Sequence, residues 1–137
     1  MIEFTVYGQP MGKQRPRTVR NGSFTRTYTP EKTVSYENLV KLEYDRQCKE
    51  RFGDNEPLSL EIVAYFSIPK SVGKKKKEQM IQNTIRPTKK PDADNIMKII
   101  ADSLNGIAYR DDTQIVNATI EKVYAEIPRV EVKISKI

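Results

Sequence analysis

The residues best suited to chemistry are Asp92-Ala93-Asp94-Asn95-Ile96-Met97-Lys98, followed further on by Asp111-Asp112. They sit in a basic chain of 137 residues, with 24 Lys and Arg against 18 Asp and Glu, a formal charge of +6 and no histidine. Without histidine there is no Ser-His-Asp or Cys-His triad, no imidazole acid–base chemistry and no histidine metal site. The single cysteine, Cys48, excludes an internal disulfide and a multi-cysteine zinc site. A metal site here must use oxygen ligands, which select hard cations such as magnesium, manganese or calcium. Carboxylates in positive surroundings suit a magnesium-dependent nuclease: the field gathers phosphates, and the acids hold the ion that helps to cut one.

Spacing supports that chemistry. On an extended entry to a helix, Asp92 and Asp94 share a face. Pro91 favours that entry, and Asp94 suits the N-cap. Lys98 lies one turn beyond Asp94 and reaches the same side. Asp111-Asp112 precedes a strand, where a carboxylate is held rigidly. Three converging carboxylates would bind one or two magnesium ions, with manganese as a substitute, and Lys98 would pair with the phosphate or orient the water. The plainer reading gives Asp94 only a capping role and makes Lys98 and Asp102 a surface pair. A calcium loop does not fit, because its glycine and terminal glutamate are missing at their spacing. No phosphate loop ending in Gly-Lys-Ser/Thr is present.

The elements that must position these residues follow from periodicity. Ile2, Phe4 and Val6 alternate with Glu3, Thr5 and Tyr7 as in a half-buried strand. Thr29-Pro30 gives an N-cap and a first-turn proline for a helix running to about Arg51, with Cys48 as packing on its face. Leu58 to Ile68 alternates most clearly, with one strongly apolar face. Lys74 to Gln82 holds good helix formers. Asp94 to about Leu104 reads as a helix with Ile96, Ile99, Ile100 and Ser103 inward and Asn95, Lys98 and Asp102 outward; Asn105-Gly106 stops it. Val116 to Ile120 and Val130 to Ile134 read as two more strands, which Pro128 and the short connection suggest form a hairpin. The expected architecture is α+β: one small domain over residues 1–137, with a mixed sheet of about four strands and two to three helices packed on it.

Two basic stretches flank the acids. Gly8 to Tyr28 is rich in turn residues and carries Lys13, Arg15, Arg17, Arg20 and Arg26 without one acid, as a loop or ribbon. Lys70 to Lys90 holds Lys74, Lys75, Lys76, Lys77, Lys89 and Lys90, opposed only by Glu78. Unbalanced charge of this kind points to phosphate contact. No apolar run approaches a membrane span and no signal peptide is visible, which with one cysteine fits a cytoplasmic protein, at the nucleoid when acting.

The quoted residues look familiar together. Lys90 to Lys98, then Asp102-Ser103-Leu104-Asn105, then Tyr109-Arg110-Asp111-Asp112-Thr113-Gln114-Ile115 resemble the RusA family of Holliday-junction resolvases. Gly8-Gln9-Pro10-Met11-Gly12-Lys13-Gln14-Arg15-Pro16-Arg17 and Tyr28-Thr29-Pro30 resemble the family's opening, so the likeness spans essentially the whole chain in order. It implies a homodimeric, magnesium-dependent endonuclease of four-way DNA, with prophages a common setting. Residue by residue, Asp92, Asp94 and Asp112 fall on the metal-binding acids and Lys98 on the catalytic lysine. Asp102 and Asp111 match further acidic positions, and Asp111 shares with Asp112 the claim to the metal. A twofold dimer suits a four-way junction, whose resolution needs two matched nicks. The rival readings are a non-catalytic DNA-binding protein and the same chemistry on forks, flaps or single strands. Tyr7, Phe24, Tyr28 and Tyr109 are candidates to wedge a junction open, against ordinary packing for each.

Overall fold

A computed structural model describes all residues, Met1–Ile137. In chain order the elements are β1 (Ile2–Tyr7), β2 (Arg17–Asn21), β3 (Phe24–Tyr28), α1 (Glu31–Gln47), β4 (Leu58–Ser67), α2 (Lys74–Ile81) and α3 (Ala93–Ser103). A single 3-10 turn, Asp112–Gln114, leads into β5 (Ile115–Ala125), and β6 (Arg129–Lys136) ends the fold. Four strands form one mixed sheet in the order β1-β6-β4-β5, and β2 and β3 form a separate hairpin. This is the expected α+β domain. No helix is long and apolar enough to cross a membrane.

Alternation decides which face of the sheet is covered. Leu58, Leu60, Ile62, Ala64 and Phe66 of β4 are buried, as are Ile2, Phe4 and Val6 of β1 and Val130, Val132 and Ile134 of β6. Register aligns them, with Leu60 opposite Ile134 and Ile62 opposite Val132. Helix α1 adds Tyr36, Val40 and Tyr44 to this core, and α3 adds Ile96, Ile99 and Ile100. Phe4 and Tyr44 meet edge to face at 5.4 Å, an arrangement the ring quadrupoles favour. Cys48 closes α1 with its thiol on the Glu3 carbonyl at 3.3 Å, in a packing role.

Three expectations change. Strands β5 and β6 are not a hairpin, because β4 lies between them, parallel to β5 and antiparallel to β6. The reason is apolar content. Strand β6 carries Val130, Val132 and Ile134 on its covered face and takes an interior place; β5 offers Ala118, Ile120, Lys122 and Tyr124 there and takes the edge. The link Glu126 to Pro128 steps across the end of β4, a span of about 10 Å. Helix α1 starts at Glu31 with Pro30, not Thr29, at the N-cap. Helix α3 starts one residue earlier than expected, so Asp92 is its N-cap and Asp94 stands in its first turn. Asp92 holds the extended backbone (φ −76°, ψ 161°) usual for a residue at an N-cap.

Candidate active site at the two ends of a helix

Helix α3 is the platform. Its apolar stripe is buried in the core, which fixes the direction of its polar side. At its N-terminal end Asn95 donates to the Asp92 carboxylate at 2.6 Å. That bond, a backbone amide, the neighbouring Asp94 and the charge of Lys122 hold Asp92 below the usual carboxylate range. Asp92 and Asp94 therefore form one acidic pair at the helix start, where the dipole also favours negative charge.

At the other end the pair is Asp102 and Asp112. Asp112 is raised above the usual range by partial desolvation, by a hydrogen bond shared with Asp102 and by that residue's charge; Asn105 opposes the rise. The Asn105 side chain positions Asp112 twice: its Oδ1 accepts from the Asp112 backbone amide at 2.8 Å, and its Nδ2 donates to the carboxylate at 3.4 Å. Asp111 points elsewhere. It accepts from the Thr113 amide at 3.1 Å, and Gln114 completes a capping box around the 3-10 turn. The Thr113 contacts hold Asp111 below the usual range. Gln114 also donates to the carbonyls of Gly53 and Glu56 at 2.8 and 3.1 Å, pinning the turn to the loop before β4. The two adjacent aspartates thus have different surroundings: Asp112 faces Asn105 and Asp102, and Asp111 builds the turn.

Two lysines converge on Asp102: Lys98 at 3.6 Å and Lys13 at 3.5 Å. Lys13 also binds Glu37 of α1 at 3.0 Å. Burial pulls the Lys13 ammonium down, but Glu37 and then Asp102 outweigh it, and the net shift is upward. Lys13 is therefore committed to two carboxylates, although its place in the basic segment suggested a DNA contact. Its backbone amide donates to the Asn95 carbonyl at 3.0 Å. Beside it Gly12 passes so close to α3 that an added Cβ would lie 3.0 Å from Pro91 Cβ and 3.1 Å from Asn95 Cβ. The segment leading to the β2–β3 hairpin is thus fastened onto the acidic helix.

The remaining basic residues divide. Arg17, Arg20 and Arg26 lie on the hairpin, where every strand residue is exposed, and Arg15 is exposed on its approach. Lys74, Lys75 and Lys76 are exposed at the N-terminal turn of α2, which has no acid to balance them. Lys77 pairs with Glu126 at 3.1 Å. Lys89 lies over the Tyr124 ring at 5.7 Å, and Lys90 is exposed just before Pro91. Of the candidate wedges, Tyr109 is fully buried with its hydroxyl on the Ala101 carbonyl at 2.5 Å. Tyr7, Phe24 and Tyr28 are exposed.

The donor set fits a hard divalent cation in chemistry, since carboxylate and amide oxygens are all it offers. Geometry adds a condition. One chain gathers its acids as two pairs rather than a trio, and no three converge to hold an ion. Asp94 and Asp102 are separated by about 12 Å of helix rise. Glu37, the partner of Lys13, has no local signal in the sequence. The pair of Lys98 and Asp102 expected from their spacing is present, with Lys13 added to it, and Asn105, expected as the helix stop, also holds Asp112.

A basic α+β domain with oxygen-only acids at both ends of a core-anchored helix has the construction of a phosphodiester hydrolase. The chain belongs to the RusA endodeoxyribonuclease family: the family described as Endodeoxyribonuclease RusA matches residues 7–135. It is 40% identical over 139 residues to the uncharacterised protein YqaN of Bacillus subtilis strain 168, covering 99% of this chain and 96% of that one. It is also 29% identical over 137 residues to the crossover junction endodeoxyribonuclease rusA of Lactococcus phage r1t, covering 99% and 97%. The chain is accordingly an endodeoxyribonuclease, a hydrolase of phosphodiester bonds.

Proposed function

We propose that the protein is a magnesium-dependent endonuclease that resolves four-way DNA junctions by paired nicks, working as a homodimer in the cytoplasm. The observation that carries this reading is the junction of the two machineries at α3. The acidic pairs flank the helix, and the arginine-bearing hairpin is rooted on its first turn through Gly12 and Lys13. A backbone gripped by the hairpin is thereby delivered to the carboxylates. The similarity to a phage crossover junction endodeoxyribonuclease supports four-way DNA as the substrate.

Asp92, Asp94 and Asp112 are the residues assigned to hold the cation. When bound, a divalent cation supplies charge neutralisation at the scissile phosphate and acidifies water. The chain's own residues do the rest. Asn95 holds Asp92 ionised and oriented, and Asn105 aims Asp112. Lys98, 60% exposed and weakly tied to Asp102, is free to swing to a phosphate oxygen. Lys13 neutralises Asp102 from below, which limits repulsion of the incoming DNA. Because one chain does not gather the three carboxylates, the site is completed between copies: Asp92 and Asp94 of one protomer meet Asp112 of its partner. A twofold axis across α3 would create two such sites at once.

Asp92→Asn, Asp94→Asn and Asp112→Asn should each lower nicking of a four-way junction by about a hundredfold or more, given what a metal site contributes. Junction affinity, measured by gel shift with the metal chelated, should be kept or improved, since a charge near the phosphates is removed. Equal loss of binding in all three variants would remove the metal-site assignment.

A further inference from the structure

The β2–β3 hairpin has an unusual composition for a solvent-exposed element. Its register places Arg17, Val19, Asn21, Phe24, Arg26 and Tyr28 on one face, and Thr18, Arg20, Thr25 and Thr27 on the other. Every apolar residue of the ribbon is thus on a single face, interleaved with two arginines. Phe24 sits at the tip, next to the turn that Gly22 makes with φ 62°, and at 77% exposure it is the most exposed large apolar side chain in the molecule. None of the three hairpin arginines forms an ion pair. From Gly8 to Pro30 the chain has no acidic residue.

An exposed phenylalanine contributes nothing to the fold, and an isolated two-stranded ribbon is marginal in water. The face therefore suits a partner that offers negative charge and flat apolar surface together. Intact duplex DNA offers the charge but keeps its base faces stacked. Unpaired or unstacked bases at a branch point offer both, because aromatic side chains stack on free base faces while arginines take the flanking phosphates.

We infer that the hairpin is a wedge for the open centre of branched DNA, with Phe24 stacked on an unpaired base and Arg17 and Arg26 on the phosphates beside it. The inference rests on the branched-DNA reading above and names the contact that makes it selective. Gly12 and Lys13, just before the hairpin, tie it to α3, and strands of five residues carry the tip about 17 Å beyond the hairpin's base. The wedge thus sets where the branch point lies relative to the acidic pairs. Phe24 acts as a positioning residue, remote from the reacting atoms.

The test compares wild type with Phe24→Ala and Phe24→Trp, with the metal chelated, on a four-way junction carrying 2-aminopurine at the branch and on a matched linear duplex. Circular dichroism melts check the fold, which such an exposed position leaves intact. Phe24→Ala should bind the junction about tenfold more weakly, with duplex binding and the salt dependence unchanged. Its branch-point fluorescence rise should be smaller, and Phe24→Trp should restore affinity. Arg17→Gln with Arg26→Gln should instead weaken both DNAs and flatten the salt dependence. Unchanged junction affinity and fluorescence in Phe24→Ala would overturn the wedge, as would loss of dimer by sedimentation, which would make this face a contact between copies. If wild type neither binds nor nicks junctions, the branched-DNA reading itself fails; if it does both while Phe24→Ala matches it, only the wedge fails.

Discussion

Asp112, proposed to hold the cation, would serve that role at the expense of the fold. Its carboxyl is raised by partial desolvation and by the hydrogen bond and charge of Asp102, with Asn105 opposing. A raised carboxyl binds its proton more tightly when folded than when unfolded. The ionised form therefore costs stability above the folded pKa, and the cost vanishes as pH falls below the unfolded value. Asp112→Asn should melt higher than wild type at pH 7 to 8, with the gain shrinking as pH falls into the carboxylate range. Solvent screening keeps that gain below about 1 kcal/mol. A melting temperature equal to or below wild type across that range would contradict the account. The grouping of Asp92 with Asp94 at the start of α3 and of Lys98 with Asp102 further along it was legible in the sequence, because it depends on short spacing along one helix. The division of labour between Asp111 and Asp112 was not. It depends on Thr113 and Gln114 closing a capping box around one and on Asn105 reaching across to the other. Lys13 misled for the same reason: its partners, Glu37 and Asp102, lie on two helices remote in sequence.

Elements follow local pattern where the pattern is strong. The alternation of β4, the apolar stripe of α3 and the turn-rich basic ribbon all appear where periodicity placed them. Strand order did not, since it depends on which strand gains more from an interior place, a comparison between β5 and β6 that neither makes alone. The contact that matters most between elements is Gly12 on the start of α3. Gly12→Ala would force Pro91 and Asn95 to give way, at a cost of about 1–3 kcal/mol. It should also lower nicking more than binding, because Asn95 orients Asp92. Gly73→Ala, where an added Cβ meets nothing, is the control: it should cost no more than the loss of a glycine N-cap, under about 1 kcal/mol, and leave cleavage unchanged. Equal behaviour of the two variants would show that the ribbon root does not set the helix start.

Charge separates across the whole molecule. The uncovered sheet face carries Glu3, Glu61, Glu121 and Glu131, of which Glu3, Glu121 and Glu131 pair with Lys133, Arg86 and Arg129. That face suits DNA poorly, whereas the hairpin with its unpaired arginines is joined to α3 through Gly12 and Lys13. The proposed completion of the site between copies would have its own signature. In a mixture of Asp94→Asn and Asp112→Asn chains, each inactive alone, mixed dimers would hold one site with both substitutions and one intact site, so single nicks should return on a plasmid bearing a cruciform. Persistent inactivity of the mixture, with subunit exchange verified, would place all three carboxylates of a site in one chain. The central claim is tested most directly by nicking of a synthetic four-way junction beside a matched linear duplex, with magnesium and with EDTA. A magnesium-dependent resolvase gives symmetric cuts in opposing strands at the branch, dependent on magnesium, absent from the duplex and lost in Asp94→Asn. Cutting of the linear duplex at the same rate, or cutting that survives EDTA or Asp94→Asn, would contradict the claim.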